Sequence, residues 1–350
     1  MNAILTSVSA KPKIGIVGAL RGFAALAVVW FHFTFGQTPW LKWSGQYGWL
    51  GVETFFVISG FIIPYSLYQY RYEIRDYFRF LGKRLVRLHP PYLASIVVVI
   101  ATYLVTVALY PHANISRLDL SPSNFASHFF YLNDFVHKEW FNVVYWTLSI
   151  ELQWYLLLGL VFPFLASRRW YVQIAATIIL LITHRLWLRN MYVIFHILPV
   201  FLIGVFVFQY RVGLSSVWRM LLSVAAMCIV MKTPIGIPVT IVASATGMLI
   251  AFATLENRWC LRLGEISYSV YLLHVPVGLT LMSPLSHLPY SGSYMIVIDL
   301  VCTAACIAAS VLFYRWIEEP SQKWSSAIKM KPVKKKVVKE ELVPATASAD

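Results

Sequence analysis

Apolar residues run in long blocks along this chain, and polar residues are confined to the joints between them. Blocks of about 17 to 25 mostly apolar residues recur from end to end, each long enough to cross a bilayer as a helix. The pattern predicts ten spans, at about 14–34, 50–68, 91–110, 143–166, 170–187, 190–208, 215–231, 235–255, 266–284 and 294–316. The expected fold class is an all-α integral membrane protein of about ten transmembrane helices.

The joints add detail. On one side the longest runs from Arg71 to His89. Arg71, Arg75, Arg79, Lys83 and Arg87 recur there every four residues, beside Tyr72, Tyr77, Phe78, Phe80, Leu81 and Leu85. This predicts an amphipathic helix lying in the membrane interface, with Pro90-Pro91 marking its join to the third span. On the other side the longest joint, about 111–142, holds His112, His128, Trp140 and few charges. It is long enough to fold over a cavity mouth.

Composition agrees with the pattern. Of 350 residues, 59% are hydrophobic and 13% charged, and the mean hydropathy is +0.67, which excludes a soluble domain of this size. The net charge is +14, but it is sorted by side. With ten spans, the loops and ends on the side of the termini carry 22 Lys and Arg, and the opposite loops carry 6. This asymmetry places both termini in the cytoplasm. The basic run from Lys329 to Lys339 reads as an anchor on anionic lipid, so membrane lipid is an expected partner and nucleic acid is not. The chain divides into a membrane domain, 1–320, and a basic, disordered cytoplasmic tail, 321–350. The first block is too long for a signal peptide and contains Arg21, which predicts an uncleaved span. Cys228, Cys260, Cys302 and Cys306 show no disulfide or metal framework, and Cys302 and Cys306 read as packing residues. Asn114-Ile115-Ser116 is a sequon in an outer loop.

Ionisable residues inside spans are the candidates for chemistry, because hydrocarbon makes each one costly. Arg21 and His32 share the first span. Eleven positions at about 100° return to within about 20°, so the two face one way, about 16 Å apart along the axis. The pair points to a functional site on a wet cavity. The competing readings are snorkelling of Arg21 and an interfacial His32. Glu151 lies about 12 Å inside the fourth span and needs a partner, His32 or Arg21 being the obvious ones, or an ion pair between helices. Arg84 and Arg87, three apart on one helix face, suit lipid phosphate or a phosphorylated cytoplasmic cofactor. Ser267, Tyr271 and His274 form one stripe on the ninth span, with Pro276 a candidate kink. Ser59 and Gly60 read first as small packing residues, Glu53 as solvated at a span mouth, and Glu318-Glu319-Pro320 as a solvated helix end.

Six motifs in order resemble the membrane-bound acyltransferase family 3, over about Ile14 to Pro320. Arg21 and His32 match its Arg-x10-His. Gly51–Phe61 resembles its Gly-Val-Asp-x-Phe-Phe-x-x-Ser-Gly-Phe, with Glu53 in place of Asp. Arg84, Arg87 and Pro90 resemble its Arg-x-x-Arg-x-x-Pro. Trp146–Glu151 resembles its Trp-Ser-Leu-Ser-Ile-Glu-Glu, with Thr147 for Ser and Leu152 for the second Glu. Ile266–His274 resembles Ile-Ser-Tyr-Ser-x-Tyr-Leu-x-His, and Glu318–Pro320 resembles Glu-x-Pro.

The resemblance implies an O-acyltransferase of the bacterial inner membrane. It would move an acyl group, most often acetyl, from cytoplasmic acyl-CoA to a hydroxyl of a saccharide such as O-antigen, exopolysaccharide or lipo-oligosaccharide, without a metal. Arg84 and Arg87 would hold CoA phosphates, and Arg21 the pyrophosphate or the acyl carbonyl. His32 would be the general base, oriented by Glu151. Tyr271 and His274 would line the pantetheine channel. Expected partners are a glycan or glycolipid acceptor and a separate extracytoplasmic protein. A transporter of a glycan or small molecule is the alternative class that intramembrane Arg, His and Glu would suit. Against it, the chain has no inverted repeat.

Overall fold

The computed structural model describes residues 15–35, 39–109, 118–187, 192–255, 257–285 and 292–330. The elements among them are all helical: α1 (Gly15–Thr34), α2 (Pro39–Gly45), α3 (Gly51–Gln69), α4 (Tyr77–Leu109), α5 (Pro122–Phe129), α6 (Trp146–Leu165), α7 (Trp170–Leu186), α8 (Ile194–Arg211), α9 (Val217–Lys232), α10 (Ile237–Phe252), α11 (Arg258–Leu273), α12 (Thr280–Leu285), α13 (Gly292–Phe313) and α14 (Glu319–Ala327). Six stretches among the described residues are long and apolar enough to cross a membrane: Gly15–Thr34, Pro39–Gln69, Ile74–Leu109, Trp146–Leu165, Ile194–Arg211 and Tyr294–Ala327. Trp170–Leu186 and Ile237–Phe252 are shorter apolar helices. The chain is an all-helical integral membrane protein. His112, the sequon and the basic run from residue 331 onward lie outside the described residues.

Two helix crossings built on glycine hold the bundle. Lipid tails solvate apolar side chains as well as a neighbouring helix does, so helices associate in membranes through close packing. Where α1 meets α11, a Cβ on Gly264 would sit 2.1 Å from the Gly18 carbonyl oxygen. Where α3 meets α8, a Cβ on Gly60 would sit 2.1 Å from the Phe201 carbonyl oxygen, and one on Gly204 2.2 Å from that of Val57. Backbone touches backbone at both crossings. Phe56 stacks on Phe201 at 4.9 Å, and Phe201 meets Trp154 at 4.7 Å, which ties α6 to the α3–α8 pair.

Arg79, Lys83 and Arg87 of the basic stripe share one helix with the third span, whereas Arg71 and Arg75 lie in the turns before it. α4 continues for 33 residues through Pro90 and Pro91, where the sequence predicts a join. Proline removes an N–H but keeps a helical φ, and neighbouring helices can re-satisfy the backbone inside a membrane. The Tyr268 hydroxyl on α11 donates to the Leu88 carbonyl at 3.0 Å, beside the prolines. The cytoplasmic tail assigned from residue 321 begins as helix α14, and this helix is docked on α4. The Ser325 hydroxyl donates to the Lys83 carbonyl at 2.8 Å, and Lys83 Nζ donates to the Ile328 carbonyl at 3.2 Å.

Pro276 produces a π turn rather than a simple kink. Residues His274–Leu279 wind as a π-helix, a form that often marks functional sites. Pro276 offers no N–H to the Leu272 carbonyl, which accepts from Asn142 Nδ2 at 3.2 Å. A second π turn, Tyr314–Glu318, joins α13 to α14.

Residues 118–145 form a cap between α4 and α6. The Ser121 hydroxyl oxygen accepts the Asn124 N–H at 3.3 Å and starts α5. His128 is buried at the centre. Its Nδ1 donates to the Asn124 carbonyl at 2.8 Å and its Nε2 accepts the Phe141 N–H at 2.9 Å, which holds the ring neutral. Tyr131 has φ 59°, a left-handed conformation uncommon for an aromatic residue. Its ring stacks on Tyr92 at 4.6 Å, and its carbonyl accepts from the Ser149 hydroxyl at 3.0 Å. These contacts pin the cap to both helices.

Candidate active site

A cavity of about 370 Å³ follows α3 from Val52 to Tyr70, a length of about 27 Å on a helix. α1 contributes Arg21, α4 contributes Arg84 and Arg87, and α6 contributes Glu151 and Tyr155. Tyr271 comes from α11 and Glu318 from the second π turn. Arg21, Arg84, Arg87, Glu151 and Tyr271, singled out in the sequence, therefore line one space.

One end of the cavity is cationic. The Arg84 guanidinium lies 5.6 Å from the Phe80 ring centre and 5.8 Å from that of Tyr155, and its Nε is buried without a hydrogen-bond partner among the described residues. Lys83 lies over Tyr70 at 5.7 Å, which places this end at the last turn of α3. Among the described residues, none of Arg21, Arg84 and Arg87 has a carboxylate within the 4.0 Å of an ion pair. Guanidinium groups held in this way offer paired donors to an anion such as phosphate.

Two carboxylates share the cavity. Glu151 Oε1 accepts from the Ser59 hydroxyl at 3.1 Å and from the Tyr155 hydroxyl. Neither of its expected partners, His32 and Arg21, hydrogen-bonds to it. Ser59 is thus more than a small packing residue, and Tyr155, four residues along α6 from Glu151, was legible from spacing alone. Glu318 is 2% exposed, not a solvated helix end. Its Oε2 accepts the Ser269 N–H at 3.2 Å and hydroxyl at 2.5 Å, and its Oε1 accepts from Gln322 Nε2 at 2.9 Å. α14 folding back on α4 encloses that end of α13. Glu53, expected in solvent, is 5% exposed, and its Oε2 has no partner among the described residues.

The histidines lie beyond the other end. Tyr271 meets Phe55 at 5.8 Å and is hydrogen-bonded through its hydroxyl to Thr147 at 2.8 Å. The same ring meets His274 at 5.8 Å, and the His274 ring lies 5.1 Å from that of His32. His274 is fully buried and stands behind Tyr271, so it does not share the cavity wall expected from the stripe. Arg21 and His32 are both on α1, yet Arg21 lines the cavity and His32 does not, its ring lying against His274 instead. Among the described residues, no group of three His, Cys, Asp or Glu is placed to hold a metal ion.

A family model described as an acyltransferase domain matches residues 15–315. Over 160 residues the chain is 36% identical to the O-acetyltransferase OatA of Staphylococcus aureus, a match covering 43% of this chain and 24% of that protein. The chain thus spans about a quarter of that relative's length. It is 27% identical over 307 residues to the membrane-bound transacylase BcsY of Komagataeibacter xylinus, covering 80% of this chain and 76% of the other. No solved structure matches the chain at a significant level.

Proposed function

The chain belongs to this acyltransferase family, and on that premise we propose that it is an inner-membrane O-acetyltransferase moving acetyl from cytoplasmic acetyl-CoA to a saccharide hydroxyl. One observation carries the proposal. One cavity carries three arginines, none with a carboxylate partner among the described residues, at one end and Tyr271 at the other, and Tyr271 lies 5.8 Å from His274, whose ring is 5.1 Å from that of His32.

Each part has a chemical task. Arg84 and Arg87, with Arg21 beside them, bind the phosphates of the donor at the cytoplasmic end through charge-assisted forks. The wall of Phe55, Ile58 and Ile62 suits an extended, largely uncharged arm. At the far end a lone pair of His32 takes the proton of the acceptor hydroxyl as its oxygen attacks the thioester carbonyl. The C–S bond breaks, and the leaving thiolate takes that proton. Glu151, held by Ser59 and Tyr155, balances the arginine charge and keeps Tyr155 under Arg84. Ten spans with both termini in the cytoplasm put the arginines on the donor side and the cap on the acceptor side. A separate extracytoplasmic protein completes delivery to the final glycan.

The test is mass spectrometry of surface glycans from cells lacking the gene, complemented with wild type or His32→Ala. An acetyl increment that returns only with wild type is expected. Identical glycans in all strains would overturn the saccharide acceptor.

A further inference from the structure

The π turn fixes the chemistry of one imidazole. His274 Nδ1 lies 2.7 Å from the Tyr271 carbonyl oxygen and 3.2 Å from that of Val270. A carbonyl only accepts, so Nδ1 carries the proton and Nε2 keeps a lone pair. That Nε2 is buried and has no hydrogen-bond partner among the described residues. Leaving such an acceptor unmet costs about 1–3 kcal/mol, which favours any donor that can reach it.

His32 can reach it. Its ring centre is 5.1 Å from that of His274, with the planes 48° apart. A linear N–H···N bond of about 2.9 Å, with about 1.1 Å from each nitrogen to its ring centre, spans about 5.1 Å. The final torsion of a histidine is broad, so turning the His32 ring brings a nitrogen to the facing edge. The backbone under both rings is fixed. Phe33 packs so closely on Gly278 that a Cβ there would sit 2.0 Å from its ring, which clamps α1 to the π turn one residue from His32.

We propose that His274 is a positioning residue for His32. Its Nε2 accepts the His32 N–H and so decides which His32 nitrogen keeps the lone pair for the acceptor hydroxyl. This rests on the proposed role of His32 as base. When His32 takes the hydroxyl proton, the positive charge spreads over a ring whose other N–H is already bonded. The proton then leaves with the CoA thiolate, and His274 keeps its own proton on the Tyr271 carbonyl throughout. A neutral acceptor takes the place a carboxylate holds in Ser-His-Asp enzymes. The substitution suits a membrane interior, where an added buried acid is costly.

Two variants separate this from a merely structural role. In His274→Gln the amide oxygen occupies the Nε2 position, so the acceptor survives. In His274→Asn the amide can still donate to the Tyr271 carbonyl, but the acceptor is lost. Purified full-length protein carrying 15N-histidine, with His32→Ala used to assign the His32 signals, reports the tautomer directly. Expected are a single His32 tautomer in wild type and His274→Gln, and a mixture in His274→Asn. Initial rates of surface-glycan acetylation in complemented cells should fall roughly 100-fold in His274→Asn and at least about 10-fold less in His274→Gln. A tautomer mixture in wild type, or Asn preserving the rate better than Gln, overturns the proposal. Should neither variant fold, the wild-type spectrum alone still decides. Full activity in His32→Ala would instead defeat the role of His32, whatever the tautomer.

Discussion

Glu318 is joined to Ser269 twice, by the backbone N–H at 3.2 Å and by the hydroxyl at 2.5 Å. A carboxylate between two helices in this way fastens the π turn after α13 to the middle of α11, beside the arginine end of the cavity. Glu318→Ala would leave both Ser269 donors and Gln322 without their acceptor. The expected loss is about 2–4 kcal/mol, read as a lowered Tm in detergent. Glu318→Gln, which keeps the shape, should lose less. An unchanged Tm in the alanine variant would mean that the bonds contribute nothing net.

The placement of Arg84 over Tyr155 distinguishes a guanidinium from a mere positive charge. Arg84→Lys keeps the charge but loses the guanidinium's contact with the Phe80 and Tyr155 rings and its fork of donors. Losing one charge-assisted contact of about 1.5–3 kcal/mol corresponds to about 10- to 100-fold in affinity. CoA titrated into purified protein should therefore bind about 10-fold more weakly to Arg84→Lys, and more weakly still to Arg84→Ala. Equal affinity across the three proteins would remove Arg84 from the donor site.

At the α3–α8 crossing the neighbour of each glycine is a carbonyl oxygen, which cannot move aside as a flexible side chain can. Gly60→Leu and Gly204→Val should each cost more than about 4 kcal/mol, at the severe end of single substitutions. Monodisperse protein recovered by size-exclusion chromatography should fall to near zero for both. Gly82, around which a Cβ would meet nothing within 4 Å, provides the control.

The cap should loosen in acid. Burial pushes the His128 pKa below its ordinary 6.5, against a smaller opposing pull from the Asn124 carbonyl. The folded cap therefore holds fewer protons than the unfolded cap. Its stability is full above about pH 6.5 and declines as the pH falls below that value. Asp119 does not contribute in this window. The Ser121 hydroxyl, and then Lys138, hold its pKa at about 2, so its contribution is lost only as the pH falls from 3.8 towards 2. Hydrogen exchange of peptides from 118–145, corrected for intrinsic rate, should show less protection at pH 5.5 than at pH 7.5. The difference should vanish in His128→Gln. Equal protection at both pH values in wild type would count against a neutral His128 as the keystone.

The sequence disclosed the helical class and several of the charged and polar residues that line the cavity. Arg21 and Glu151 stood out because charge inside an apolar block is costly, and Arg84 and Arg87 because they lie three apart on one helix face; both signals are local. What they hid depends on partners distant in sequence. Glu318 looks solvated until α14 is seen docked on α4. Tyr155 is within reach of Glu151 by its four-residue spacing, but nothing local tells Ser59, on another helix, from the histidine expected there. His274 shares a stripe with Tyr271, but the π turn at Pro276 changes the helical winding from that residue onward. The prolines of α4 misled as well. Pro90 and Pro91 lack the N–H groups that would bond the Val86 and Arg87 carbonyls, yet their fixed φ is helical and α4 runs on through them.

The glycine crossings bear on how the protein responds to the lipids around it. Helices held together by bulky side chains can slide or tilt as a bilayer thickens, thins or stiffens. At both crossings the chain instead abuts its own peptide groups, so the spacing of α1 from α11 and of α3 from α8 is set by the covalent backbone. The bore between them should keep its width in fluid and rigid lipid alike.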